Sequence, residues 1–127
     1  RRMYTILICD DDKDIVSALD IYLTSEGYRT LKAYNGREAI QAVEQNEVHL
    51  ILMDVMMPEM DGLEAAKAIR ALDRPDAKAI PIIAMTANVF KEDREKCLAA
   101  GMNAHLSKPL DAETMKRTIS EQLQKRK

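Results

Sequence analysis

The sequence predicts a single α/β domain built around an open parallel sheet, and three observations support this fold class. Over 127 residues, apolar runs of strand length alternate five times with amphipathic stretches of helical spacing. The first, third and fourth apolar runs are almost unbroken, which is typical of strands that helices cover on both faces. Charged side chains follow directly where these runs end. Strict β-α alternation favours right-handed crossovers, so we expect helices on both sides of one sheet.

The first half of the chain contains three predicted strands and two predicted helices. Asp12 or Asp14 is expected to cap the first helix, because a carboxylate there accepts hydrogen bonds from free N–H groups. Gly27 is expected to end that helix, and Asn35-Gly36 to turn the chain into the second helix. We expect these elements at residues 4–9 (strand), 13–25 (helix), 28–33 (strand), 37–45 (helix) and 48–53 (strand).

The second half of the chain contains three predicted helices and two predicted strands. Leu63, Ala66 and Ile69 recur at helical spacing, and Gly101 suits the left-handed position at a helix end. The polar segment 73–78 is expected to be a loop. We expect these elements at residues 63–72 (helix), 82–85 (strand), 91–100 (helix), 104–106 (strand) and 111 to about 124 (helix).

The composition is that of an ordinary globular protein, with 46% hydrophobic and 31% charged residues. The length suits one domain over residues 1–127, with a core at about 4–124 and basic ends that we interpret as linker stubs. Nineteen basic and 21 acidic residues give a net charge of −2. This balance provides no electrostatic basis for binding nucleic acid or an anionic membrane.

The cysteines and the apolar runs indicate a cellular location. Cys9 and Cys97 are too few and too irregularly spaced for a disulfide framework, and we expect reduced thiols in the cytoplasm. The longest apolar runs are strand-sized, so none is expected to span a bilayer. The chain begins with Arg1, which is compatible with a piece of a longer protein, including the cytoplasmic part of a membrane-bound sensor kinase.

Four charged side chains stand where predicted strands end: Asp10, Asp11, Asp54 and Lys108. In open α/β sheets, ligands bind at the carboxyl ends of the strands, so we expect these groups to meet in one pocket. Neighbouring carboxylates raise one another's pKa unless a cation compensates them. Mg²⁺ prefers oxygen ligands and keeps several waters. Asp11 and Asp54 therefore suit direct ligation, and Asp10 suits contact through a bound water.

The same pocket contains the parts needed to form an acyl phosphate. Asp54 stands alone on the central strand and suits the role of nucleophile. Lys108 and Thr86 offer an ammonium and a hydroxyl for phosphoryl oxygens, and Ala87 leaves room for a donor. Taken singly, each residue has a common structural explanation as a helix cap, a turn residue or a surface lysine. Met53, Met56, Met57 and Met60 are interpreted as core and loop packing.

Four segments of the chain closely resemble the motifs of the receiver domain of two-component response regulators. These segments are residues 6–12 (ILICDDD), 53–62 (MDVMMPEMDG), 84–87 (AMTA) and 106–109 (LSKP), and the resemblance covers essentially the whole chain. It implies the flavodoxin-like doubly wound fold, with five parallel strands in the order 2-1-3-4-5 and five helices. Residues 86–88, 92–93 and 100–109 are most similar to receivers of hybrid sensor histidine kinases.

The resemblance implies a role for each residue of the pocket. Asp54 would be phosphorylated by a phosphohistidine, and Thr86 and Lys108 would bind the phosphoryl oxygens. Mg²⁺, with Mn²⁺ as an alternative, would be held by Asp11, Asp54, the backbone carbonyl of Met56 and, through water, Asp10. The Lys108–Pro109 peptide bond would be cis.

The resemblance also implies a switch and its partners. Thr86 would couple to His105, which stands where an aromatic residue is usual, so a pH influence on the switch is a hypothesis. Phosphorylation would reshape the face formed by the fourth helix, fifth strand and fifth helix. The partners would be a histidine kinase or a histidine phosphotransfer domain, with no direct contact to nucleic acid or membrane, and a weak dimer remains open. The domain would promote its own phosphorylation and dephosphorylation without being a turnover enzyme.

Four alternatives are retained. A stand-alone or output-linked receiver shares most of these motifs. A haloacid-dehalogenase-type phosphatase would use Asp10 as nucleophile and Asp12 as acid/base, but Asp14 stands where Thr or Val is usual, and no cap domain is present. A flavodoxin-like binding module would need a first loop that attracts phosphate, which three aspartates do not. A degenerate receiver acting as a scaffold is disfavoured by the intact Asp11, Asp54, Thr86 and Lys108.

Overall fold

The structure is a computed structural model that describes residues 3–87 and 91–125, apart from the side chains of residues 91 and 92. Five parallel strands form one sheet in the order β2-β1-β3-β4-β5, so the predicted fold class is confirmed. The strands are β1 (Thr5–Cys9), β2 (Arg29–Ala33), β3 (Leu50–Asp54), β4 (Ile82–Thr86) and β5 (Ala104–Ser107). Residue 88, which contributes to the hybrid-kinase resemblance, and the terminal stubs at 1–2 and 126–127 lie outside the described residues.

Five helices connect and follow these strands: α1 (Lys13–Ser25), α2 (Gly36–Gln45), α3 (Gly62–Arg70), α4 (Lys91–Ala99) and α5 (Ala112–Lys125). Their bounds differ from the predicted ones by at most two residues, as is usual for frayed ends. Asp12 is the cap of α1, where its carboxylate accepts hydrogen bonds from the N–H groups of Asp14 and Ile15. No helix in the described part of the chain has both the length and the apolar composition needed to cross a membrane.

Two expectations about irregular segments need correction. The segment expected as a loop at 73–78 contains a 3₁₀ helix (Pro75–Lys78), because Pro75 favours the first turn of a helix and Arg74 pairs with Asp76 at 2.8 Å. Asp54 belongs to β3 itself, where it pairs in register with Met85, whereas the strand was expected to end one residue earlier.

Helices cover both faces of the sheet and bury β1, β3 and β4 completely. One core cluster joins the sheet to α2, α3 and α4 through side chains such as Val43, Ile69 and Cys97. The other joins it to α1 and α5 through side chains such as Leu19 and Ile119. Because the two core clusters pack against both faces of β1, β3 and β4, the ends of these strands are held at fixed positions relative to one another.

Candidate functional site

Three carboxylates meet at the carboxyl edge of the sheet. Cys9 pairs in register with Met53, so Asp10, which follows β1, and Asp54, which ends β3, come next at the same edge. One oxygen from each of Asp10, Asp11 and Asp54 lies within 4.8 Å of the other two. Asp10 and Asp54 are buried, whereas Asp11 is exposed. The arrangement is therefore an acidic pocket with a buried floor and an open rim.

Lys108 reaches this pocket from the loop that follows β5. Its ammonium lies 2.9 Å from Asp10 Oδ2 and 3.3 Å from Asp54 Oδ1. Its backbone N–H donates to the carbonyl of Thr86 at 2.9 Å, and its peptide bond to Pro109 is cis. One lysine thus bridges carboxylates that stand at the ends of two neighbouring strands.

The electrostatics of the pocket are dominated by burial. Asp54 is only 3% exposed, and this burial, reinforced by the charge of Asp10, raises the pKa of its carboxyl to about 6. The Lys108 ammonium and the N–H of Met56 oppose that rise. For Lys108, desolvation acts to lower the pKa, but its hydrogen bonds and charge interactions with Asp10 and Asp54 outweigh it and raise the pKa. The Lys108 ammonium therefore does not offset the combined effect of burial and the Asp10 charge on the pKa of Asp54.

The donor set of the pocket fits a small divalent cation. All three side chains offer carboxylate oxygens, which Mg²⁺ prefers over nitrogen or sulfur. Burial and the charge of Asp10 raise the pKa of Asp54 and so disfavour its ionised form, which a bound cation would stabilise. Asp10 is also held in place, since its Oδ1 accepts the N–H of Asp12 at 3.0 Å.

The loop between β3 and α3 is held close to Asp54. The N–H of Met56 donates to Asp54 Oδ1 at 3.3 Å, while the Met56 side chain is 72% exposed. The N–H of Gly62 donates to the carbonyl of Val55 at 3.0 Å. A Cβ at Gly62 would lie 2.3 Å from the backbone oxygen of Asp54, so only glycine permits this close return of the chain.

Thr86 and His105 lie on neighbouring strands and on the same face of the sheet. Thr86 is buried and pairs with Ser107, and His105 is half-buried and pairs with Ala84. Because residues two apart share a face, both side chains are directed to the side that α4 covers. His105 also lines a cleft of about 360 Å³ together with Asp111 and other residues at the start of α5.

An apolar groove of about 380 Å³ adjoins the acidic pocket. One wall is formed by α1, mainly by Ile15, Ala18 and Tyr22. The other is formed by Pro109 and Leu110 and by the first turns of α5. Lys108 lines the same groove, which therefore begins where the acidic pocket ends.

The structure brings together all the charged residues that the sequence placed in one pocket, and it adds contacts that the sequence did not suggest. The sequence suggested Lys108 as a ligand of phosphoryl oxygens, and in the structure its ammonium forms ion pairs with both Asp10 and Asp54. Of the four methionines interpreted as packing, Met53 and Met57 are buried and Met60 packs partly against the core, but Met56 is exposed. The groove was also missed, although Ile15, Ala18 and Tyr22 recur at helical spacing.

Comparison with known proteins agrees with this geometry. The family model for the response regulator receiver domain matches residues 6–120. The chain belongs to this family of receiver domains, which act in two-component phosphorelays. This membership confirms the predicted class and does not favour the haloacid-dehalogenase-type phosphatase or the flavodoxin-like binding module.

Several relatives are sensor kinases much longer than this chain. It is 41% identical to hybrid signal transduction histidine kinase B of Dictyostelium discoideum over 83% of its own length and 6% of that protein. It is 35% identical to the sensor histidine kinase RcsC of Escherichia coli K12 over 91% of its length and 12% of that protein. The sequence is therefore similar to receiver regions that form small parts of hybrid kinases.

The fold is also similar to the solved structure of a receiver domain from a sensor histidine kinase. The receiver domain of the sensor histidine kinase PA1611 from Pseudomonas aeruginosa is 34% identical to this chain, with a TM-score of 0.86. The match covers 96% of this chain and 98% of that one. The Pseudomonas domain has a magnesium ion coordinated in its active site cleft.

Proposed function

We propose that this domain accepts a phosphoryl group from a phosphohistidine onto Asp54 and thereby relays a signal. The observation that supports this most directly is the environment of Asp54. Its carboxylate is almost fully buried, lies against the Lys108 ammonium and stands next to two further carboxylates. A carboxylate so placed combines a nucleophile with the charges that phosphoryl transfer requires.

The same pocket would hold Mg²⁺, for which Mn²⁺ could substitute. Asp11, Asp54 and the backbone carbonyl of Met56 would be its protein ligands, and Asp10 would contact it through water. When bound, the cation neutralises charge on the phosphoryl oxygens. The magnesium in the PA1611 receiver domain supports this assignment.

In the transfer step, an oxygen of Asp54 would form a bond to phosphorus while the bond from phosphorus to the imidazole nitrogen breaks. The departing imidazole keeps the electron pair of the broken bond. Lys108 and Thr86 would bind phosphoryl oxygens, Lys108 exchanging its ion pairs with Asp10 and Asp54 for that contact. The product is an acyl phosphate on Asp54.

Phosphorylation would be read out at the face formed by α4, β5 and α5. Binding of a phosphoryl oxygen would draw Thr86 inward, and His105, on the same face of the sheet, would respond. A local change of charge would thus bias a two-state element. A pH influence through His105 stays a hypothesis.

The phosphoryl donor would be a histidine kinase or a histidine phosphotransfer domain. Because Asp54 is buried, such a donor must pack on a surface that borders the pocket. The apolar groove between α1 and the start of α5 has this position, since Lys108 lines both the groove and the pocket. The similarity to hybrid-kinase receivers supports an origin in a longer hybrid kinase, with residues 1–127 as one receiver domain and a cytoplasmic location.

Intact-mass measurement after incubation with acetyl phosphate tests the chemistry. With Mg²⁺ we expect a single phosphoryl adduct on the wild-type chain, and with a chelator or with Asp54→Asn we expect none. A folded wild-type protein that binds Mg²⁺ but gains no adduct would contradict phosphorylation by small donors and would favour the scaffold alternative.

A substitution within the groove tests the docking surface. In Ala18→Arg, a long charged side chain would occupy the groove, and transfer from a phosphorylated histidine phosphotransfer domain should fall more than about tenfold. Phosphorylation by acetyl phosphate should be unchanged, and Ser17→Arg, exposed on the same helix but outside the groove, serves as the control. Equal transfer to both variants would exclude this groove as the docking surface.

A further inference from the structure

Met57 lies in the loop between β3 and α3, at the point where that loop turns back into the protein. It is 7% exposed and belongs to the core cluster between the sheet and α2, α3 and α4. Its Sδ lies 3.7 Å from the thiol of Cys9, the last residue of β1. The same thiol lies 3.4 Å from the carbonyl oxygen of Asn35, the cap of α2. Met57 thus connects the loop to the floor of the acidic pocket.

The other apolar side chains of this loop that touch the core, Val55 and Met60, are only partly buried. The N–H of Val55 donates to Met85 and the N–H of Gly62 to Val55, so both ends of the loop are fixed. Between residues 55 and 61, Met57 is the only side chain that is buried. Glu59, two residues further on, adopts a left-handed backbone with φ of 66°. The path of the backbone at Met56 therefore depends on where the neighbouring Met57 side chain is seated.

We propose that Met57 is a positioning residue for the cation site. Its buried thioether, seated against Cys9, holds the backbone of Met56 beside the Asp54 carboxylate, where the carbonyl of Met56 would be a ligand. This inference rests on the proposed function, since it concerns the site assigned to Mg²⁺. Substitutions that disturb the groups orienting metal ligands typically weaken metal affinity about 10- to 100-fold.

The opposite orientations of the adjacent Met56 and Met57 side chains support this role. Met56 directs its side chain into solvent and its N–H to Asp54, whereas Met57 directs its side chain into the core. The flexible Met57 thioether packs in the core cluster and accepts a weak S–H hydrogen bond from Cys9. Truncating Met57 would remove the anchor and leave Met56 free to move away from Asp54.

The experiment compares Met57→Ala with Met102→Ala. Met102 is 3% exposed, belongs to the same core cluster and lies in the turn before β5, away from the acidic pocket. Both variants should lose similar stability to urea, because each loses a buried methionine. Titration calorimetry of Mg²⁺ into the whole chain should show affinity at least about tenfold weaker in Met57→Ala. Met102→Ala should remain within about twofold of wild type.

Two further measurements separate positioning from general loss of packing. Hydrogen exchange of the Met56 amide should become faster in Met57→Ala than in Met102→Ala, without any metal present. Met57→Leu keeps the buried volume, so this variant should fold and should retain Mg²⁺ affinity within about threefold.

The possible failures are distinguishable. If the wild-type chain does not bind Mg²⁺, the proposed function itself fails. If the wild type binds Mg²⁺ and Met57→Ala matches Met102→Ala in both affinity and Met56 exchange, the positioning role of Met57 is wrong. Should Met57→Ala not fold, Met57→Val takes its place, and unchanged affinity and exchange in that variant would overturn the inference equally.

Discussion

The two edges of the sheet treat their polar groups differently. At the amino edge, the Arg70 guanidinium donates to the carbonyls of Ala77 and Gly101 and to Asn103 Oδ1, at 2.8 to 3.1 Å. Asn103 also accepts the N–H of Ile82 at 2.8 Å, so each group has a partner. At the carboxyl edge, three carboxylates lie together and the Lys108 ammonium pairs with two of them, Asp10 and Asp54. The paired groups of the amino edge stabilise the fold, whereas the carboxyl edge retains carboxylate charge that a bound cation could neutralise.

The backbone follows the same division. At the amino edge, the two left-handed positions among the described residues are occupied by glycine, with φ of 92° at Gly27 and 96° at Gly101. At the carboxyl edge, the left-handed position in the β3–α3 loop is occupied by Glu59, which has a Cβ and is strained there. A strained backbone position thus occurs in the loop that follows Asp54, and strain of this kind is often found at functional sites.

The largest effect on stability is expected from removing the Arg70 hydrogen bonds at the amino edge. Arg70→Ala removes a guanidinium that joins α3, the 3₁₀ helix and the turn before β5, and we expect a loss of about 2–4 kcal/mol in the free energy of unfolding. Urea denaturation measures it, with Lys67→Ala, exposed on the same helix, as the control. If both variants lost less than about 0.5 kcal/mol, the amino edge would not depend on Arg70.

An intermediate effect of opposite sign is expected at the carboxyl edge. The pKa of Asp54 is raised from 3.8 to about 6 by folding, so ionisation of Asp54 disfavours the metal-free folded state. This contribution to stability is complete below about pH 4 and is lost as the pH rises through 6. Asp54→Asn should therefore stabilise the metal-free protein by about 1–3 kcal/mol at pH 7.

The pH dependence of this difference provides the check. In the presence of a chelator, the stabilities of wild type and Asp54→Asn, measured by thermal or urea unfolding, should converge as the pH falls from 7 towards 4. A difference in stability that is constant over this range, or a variant less stable than wild type at pH 7, would contradict this prediction. It would show that ionised Asp54 does not destabilise the folded protein.

The smallest effect is expected from relieving backbone strain. Glu59→Gly places glycine at a left-handed position, which should remove about 1 kcal/mol of strain, partly offset by the greater freedom of glycine in the unfolded chain. We expect a net gain of about 0.5 kcal/mol in urea denaturation, with Glu64→Gly, inside α3, losing stability as the matched control. A loss of stability in Glu59→Gly would mean that the Glu59 side chain contributes more than its backbone conformation costs.

Most of the fold could be predicted from the sequence because its signals are local. The helix at 13–25 was predicted to the residue, since Asp12 caps it and Gly27 follows it. The pocket residues were predicted from the places where apolar runs end. Contacts such as Cys9 with Met57, or Arg70 with Asn103, join residues 48 and 33 apart, and no local pattern specifies which side chains meet. Glu59 was missed because glutamate gives no signal of a left-handed backbone.

The ion pairs of Lys108 determine at what point during folding the environment of Asp54 is complete. Lys108 is 98 residues from Asp10 and 54 residues from Asp54 along the chain. Contacts over such separations require closure of long loops, so they form only once β1, β3 and β5 have assembled. A nascent or partly unfolded chain carries Asp54 but lacks the environment around it. If Asp54 accepts the phosphoryl group as we propose, only molecules that have completed folding would be able to receive it.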